Sequence, residues 1–126
     1  MTDPDIGDRR RREILGDDYV DASLAAADEL TRTFQELVTA QVWARAWTGS
    51  ALDDRTRALV TLGIVAGLGR FDEVEIYAKG ALRSRATVDD IRDVLVHVTA
   101  YCGAPAGRQA FFAASRGLRA AGAITT

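Results

Sequence analysis

One histidine and one cysteine in 126 residues leave little room for several kinds of chemistry. A single cysteine excludes an internal disulfide framework, a Cys-x-x-Cys redox pair and zinc sites built on paired cysteines. A single histidine excludes the His-Glu-x-x-His metalloprotease pattern and most multi-histidine metal sites. Charge of one sign is also lacking. Sixteen Lys and Arg against 18 Asp and Glu leave a formal charge of −2, which gives no electrostatic footprint for nucleic acid. The arginine cluster Arg9–Arg12 is surrounded by acidic residues and reads as a solvated helix face. A long hydrophobic run is absent as well. The longest, Ala58–Leu68, covers about 11 residues where a bilayer span needs ~20. The charged N-terminal stretch has no apolar segment of the secretory kind. The expectation is a cytoplasmic protein of one domain, residues 1–126, without membrane or nucleic-acid partners and without a metal.

What is present is alanine and strong helix formers, with no alternation of β-branched and polar residues, so the chain reads as all-α. A first helix is expected over about 5–15, stopped by Gly16. A second covers about 20–31, and a third runs unbroken from about 32 to 47. A fourth, capped by Asp53 or Asp54, covers about 54–68 and ends at Gly69. Asp72 with Glu75 reads as a capping box for a fifth over about 73–84. Thr87 caps a sixth over about 88–102, and Pro105 opens a seventh over about 105–120.

The apolar patterns assign faces. Val88, Ile91, Val94, Leu95, Val98, Tyr101 and Cys102 form one stripe of the sixth helix. Leu59, Val60, Leu62, Ile64 and Val65 surround the fourth, which suggests burial on most sides, and Gly63 and Gly67 would admit a close neighbour. The third helix has two apolar faces. Phe34, Leu37, Val38 and Val42 read as the core side, and Trp43 with Trp47 on roughly the opposite side reads either as a subunit contact or as a pair tucked under the 48–56 loop, the contact being favoured.

Polar residues on or beside those stripes are the candidates for a site. Gln41 follows the Phe34/Leu37/Val38 stripe, with Arg45 four residues on. Tyr77 lies on the Val74/Ala78/Ala81 stripe, one turn after Glu73. Asp93, His97 and Tyr101 stand at i, i+4 and i+8 along one side of the sixth helix. Such groups are costly inside a fold unless they are paired, so they mark either satisfied core positions or a pocket. Cys102 reads first as a small buried hydrophobe.

Several stretches together resemble the carboxymuconolactone decarboxylase family, of the alkylhydroperoxidase D-like fold. They are Phe34-Gln-Glu-Leu, Val42-Trp43 with Trp47-Thr, Asp54-Arg-Thr-Arg-Ala-Leu-Val-Thr-Leu, Gly69-Arg70 with Glu73-Val, and Thr87-Val-Asp-Asp-Ile-Arg-Asp-Val-Leu. The turn Ala100-Tyr-Cys-Gly-Ala-Pro-Ala106 is the most specific. The resemblance covers about residues 8–120. It implies a bundle of about six to seven helices that assembles into homotrimers or homohexamers, with a pocket formed by the third, fifth and sixth helices and no metal or organic cofactor. It implies a carboxy-lyase acting on a small anionic lactone or enolisable carbonyl compound.

On that resemblance, His97, Tyr77 and Glu73 are the expected catalytic residues. Gln41, Arg45, Arg57, Arg70, Tyr101, Cys102 and Trp43 are expected to bind the substrate, with arginine suited to carboxylates by its planar fork. The chain departs from the family at two points. Gln41 and Tyr77 stand where the family usually carries histidines, and the single histidine lies at 97, often a glutamine there. This displacement marks a diverged member. It leaves open a different substrate in a specialised biosynthetic pathway, with an isomerase or cyclase activity, or a non-catalytic oligomeric binding role. The family's peroxidase branch needs the Cys-x-x-Cys pair that is missing here.

Overall fold

The structure is a computed structural model that describes residues 2–125. All regular elements among those residues are helical, in agreement with the pattern of the sequence. Backbone contacts divide the chain into two compact units, 1–54 and 55–126.

The first unit holds α1 (Asp3–Leu15), α2 (Asp17–Ala25), α3 (Thr31–Leu37), a π-helical segment (Val38–Trp43) and the short α4 (Ala44–Ala46). Thr2 and Asp5 close a capping box on α1, and Pro4 sits in the first turn, where its missing N–H is no loss. Gly16, at φ 89°, ends α1 and starts α2, a conformation that disfavours any side chain. Arg12 ties the two helices by pairing with Asp8, Asp17 and Asp21. The expected second helix is shorter than its pattern. The Asp28 carboxylate accepts from the amides of Leu30 and Thr31 at 2.9 and 2.8 Å, which gives the backbone a local turn in place of continued helix.

The expected unbroken third helix is interrupted by the π turn, whose i→i+5 bonding fits an extra residue into one turn. The insertion shifts the register of the side chains that follow it, Trp43 and Trp47 among them. Trp43 and Trp47 are 4% and 5% exposed and stack with centroids 4.9 Å apart, so their expected role as an outward subunit contact is corrected. Phe34, Leu37 and Val42, expected as core, are exposed; Phe34 retains 59% of its accessible surface. The two faces have exchanged roles because the large indoles gain most from burial. α1 lies against the π segment so closely that a Cβ at Gly7 would overlap the Thr39 carbonyl oxygen.

The second unit carries α5 (Asp54–Gly67, whose first residue closes the first unit), α6 (Phe71–Arg83), α7 (Val88–Cys102) and α8 (Ala104–Ala120). α6 and α7 both pack on α8, whose buried face consists of Gly107, Ala110, Ala113, Ala114, Gly117 and Leu118. The small residues set the spacing. A Cβ on Gly117 would lie 2.5 Å from the Glu75 carbonyl oxygen, and one on Gly107 would overlap the Thr99 side chain.

Two expectations for this unit need correction. α5 is buried only along Ala58, Leu62 and Ala66, and Val60, Ile64 and Leu68 are exposed. Apolar residues all round a helix therefore provide one face for the chain's own core and one left over. The capping box at Asp72 and Glu75 does not form. α6 starts at Phe71 with Arg70 as its N-cap and no side-chain cap, while Glu75 reaches Arg116 on α8 at 3.5 Å. By contrast, the Thr87–Asp90 capping box of α7 is complete in both directions.

Candidate active site

α5 and α7 approach each other in the second unit at two glycines of α5. A Cβ built on Gly63 would be 3.7 Å from Val94, and one on Gly67 would be 3.5 Å from the Cys102 sulfur. Between the two helices lies an open groove of about 640 Å³. Leu59, Val60, Gly63 and Ile64 form the α5 wall. Asp90, Asp93, Val94, His97, Val98, Tyr101 and Cys102 form the α7 wall.

The groove is an apolar trough with polar groups in a row along one helix. His97 and Tyr101, four residues apart, stand with ring centroids 4.8 Å apart and planes tilted by 40°. Tyr101 is 80% exposed, so its hydroxyl is free to meet a ligand, and the Cys102 thiol is exposed beside it. The imidazole can donate and accept protons, the phenol can donate, and the thiol is a polarisable wall. At the other end, Arg55 holds Asp90 at 2.7 Å. The Thr87 backbone amide, followed by the Arg55 guanidinium, keeps the Asp90 carboxyl below the usual carboxylate range. Asp90 is thereby ionised and engaged, which fits an anchoring part better than a proton-transferring one.

Of the expected site residues, the structure brings His97, Tyr101 and Cys102 together in this groove. Tyr77 lies half-buried on α6, on the helix side that buries Val74, Ala78 and Ala81. Arg70 and Glu73 share a shallow depression with Gly69, Phe71 and Asp72 at the start of α6. Arg57 is half-buried on α5, and its carbonyl accepts from the Thr61 hydroxyl at 2.9 Å. The remaining three belong to the first unit. Gln41 is exposed on the π segment, Arg45 pairs with Asp3 at 3.6 Å on the surface, and Trp43 is buried against Trp47. Sequence reasoning missed the α5 wall of Leu59, Val60 and Ile64, and it missed the Arg55–Asp90 pair. The wall was legible as apolar surplus on α5; the pair had no signal, because its partners are 35 residues apart. Among the described residues no group of three or more His, Cys, Asp and Glu is placed to hold a metal ion.

The sequence model of the carboxymuconolactone decarboxylase family matches residues 28–116. The chain belongs to that family. It is 36% identical over 101 residues to the nitrosuccinic acid decarboxylase of Metarhizium robertsii, which covers 80% of this chain and 71% of that protein. It is 30% identical over 100 residues to the 4-carboxymuconolactone decarboxylase of Acinetobacter baylyi, covering 79% of this chain and 75% of that one. The family resemblance read from the Asp54–Leu62 and Tyr101–Ala106 stretches is confirmed, and with it the all-helical fold of this decarboxylase-like enzyme family. No helix among the described residues is long and apolar enough to cross a membrane.

Proposed function

We propose that this protein is a decarboxylase of a small acid in which the departing carboxylate stands next to an electron-accepting group. The observation that carries the reading is the groove in which the chain's one imidazole meets an exposed phenol, on a fold shared with two proteins named as decarboxylases. One relative is named for a nitro dicarboxylic acid and the other for a carboxylated lactone. A nitro group and a lactone carbonyl can both take up the electron pair that carbon dioxide leaves behind.

The reaction has two demands. As the carbon–carbon bond breaks, the electron pair moves onto the acceptor oxygen, which needs hydrogen-bond donors; then carbon takes a proton. Donors aimed at a developing oxyanion are worth ~2.7–4 kcal/mol each in well-studied sites. Tyr101 is suited to the first role and His97 to the second, with the apolar α5 wall keeping water from the carbanion. Charge-neutral carbon dioxide leaves more readily from an apolar trough than a carboxylate stays in one. Arg57 and Arg70 are the proposed ligands for a remaining carboxylate, with Tyr77 and Glu73 as the proposed further polar groups of the second unit. The chemistry proposed uses neither a metal nor an organic cofactor.

The test is carbon dioxide release from nitrosuccinate and from 4-carboxymuconolactone by wild-type protein, His97→Ala and Tyr101→Phe, with circular dichroism checking the fold. Loss of a positioned proton donor should lower turnover by about tenfold or more. Wild-type rates in folded His97→Ala would refute the assignment of the groove.

A further inference from the structure

Arg11 is the one arginine of the N-terminal cluster whose side chain turns inward. It is 6% exposed, and its Nε is buried with no hydrogen-bond partner. The ion pairs of the first unit go to Arg9, Arg10, Arg12 and Arg45; among the described residues Arg11 joins none. A buried guanidinium without a counter-charge is an unfavourable arrangement that a fold does not retain for packing alone. Its partner is an amide: Nη1 donates to Gln35 Oε1 at 2.8 Å.

A guanidinium has donors only, so it fixes which way the amide points. The Gln35 oxygen faces Arg11, and the amide nitrogen is the free end, with no hydrogen-bond acceptor among the described residues. Gln35 also lines a cavity of about 610 Å³, together with Asp8, Arg32, Glu36 and Thr39. A cation behind an amide polarises it, and the amide N–H becomes a stronger donor. Asp8 adds little repulsion, since Arg12 holds both its oxygens at 3.0 and 3.1 Å, and the exposed Arg32 offers a second cation on the same wall, which offsets the solvated carboxylate of the exposed Glu36. Thr39 belongs to the π turn, a distortion often found at functional sites.

We infer that this cavity, built wholly from the first unit, is a binding site for a small carboxylate. Its anion is received by the Gln35 amide nitrogen and by Arg32, with Arg11 supplying the charge from behind. The site owes nothing to His97 or to the groove of the second unit.

Thermal melting of the full chain in sodium succinate, against sodium chloride at equal ionic strength, tests it. Saturating succinate should raise Tm by about 4 °C in wild type and in His97→Ala. Gln35→Glu places a carboxylate against Arg11 from within and keeps the side-chain length, so it should fold and lose the succinate response. The inference fails if wild type shows no saturable rise, if Gln35→Glu responds as wild type does, or if His97→Ala loses the response. Stabilisation by inorganic phosphate without any by succinate would overturn the carboxylate assignment.

Discussion

At the scale of single residues, glycines divide into those that hold helices together and those that merely permit them to approach. Gly7 and Gly117 face backbone carbonyls that cannot move, whereas Gly63 faces the Val94 side chain at ordinary contact distance. Gly7→Ala and Gly117→Ala should each destabilise by ~1–3 kcal/mol or more, as overpacking does. Gly63→Ala should be neutral or gain up to ~1 kcal/mol from helix propensity. Urea titrations of the three variants check this, and equal midpoints would contradict it. Arg85 has φ 74° between α6 and α7, where a side chain crowds the following carbonyl. Arg85→Gly should therefore stabilise the fold by ~1 kcal/mol, read in the same titration. None of this was visible in the sequence. Gly7 sits among charged residues and looks like any helix interior, and its partner Thr39 is 32 residues away.

At the scale of elements, caps were the most legible feature and registers the least. Thr87-Val-Asp-Asp90 predicts the start of α7, and both halves of its capping box form. Thr87→Ala should cost ~1 kcal/mol of stability. The same motif makes a pH prediction. The Asp90 carboxyl is held below its ordinary value of 3.8 by the Thr87 amide first and by Arg55 second. A depressed carboxyl contributes stability that is fully present above the unfolded value and fades as pH falls through the folded one. Asp90→Asn should thus lower the urea midpoint at neutral pH and flatten its decline below about pH 4. A wild-type acid limb in this variant would remove Asp90 from the account. Tyr101 and Cys102, expected buried at the end of the sixth-helix stripe, are exposed, whereas the row Asp93, His97 and Tyr101 along one side of that helix was legible, since a regular helix carries spacing directly into geometry. The 32–47 stretch was not, because a π turn leaves no periodic signature while it rotates everything after it.

At the scale of the whole molecule, apolar surface exceeds what one chain buries. Phe34, Leu37 and Val42 are exposed in the first unit, and Val60, Ile64, Leu68, Val96 and Phe112 in the second. Scattered apolar residues are ordinary on a surface, but runs at helical spacing mark contact faces. We propose that these faces join copies of the chain as a homotrimer or homohexamer. Sedimentation should give a mass that is a multiple of three 13.6 kDa chains, and Phe34→Asp or Ile64→Glu should release smaller species. A wild type that sediments as a single chain at micromolar concentration would refute the assembly.

The helical class, most helix ends, the family and the row of polar groups on α7 were all written in the residues. These follow from local rules, namely spacing, caps and turn residues, that act within about five positions of the chain. Which faces point inward was settled by packing. Trp43 and Trp47 went in and Phe34 went out, α5 kept one apolar side for a groove, and Arg11 turned inward toward Gln35 instead of joining its neighbours at the surface. Burial depends on what arrives from elsewhere in the chain. That is a property of the packed whole, and no window of neighbouring residues contains it.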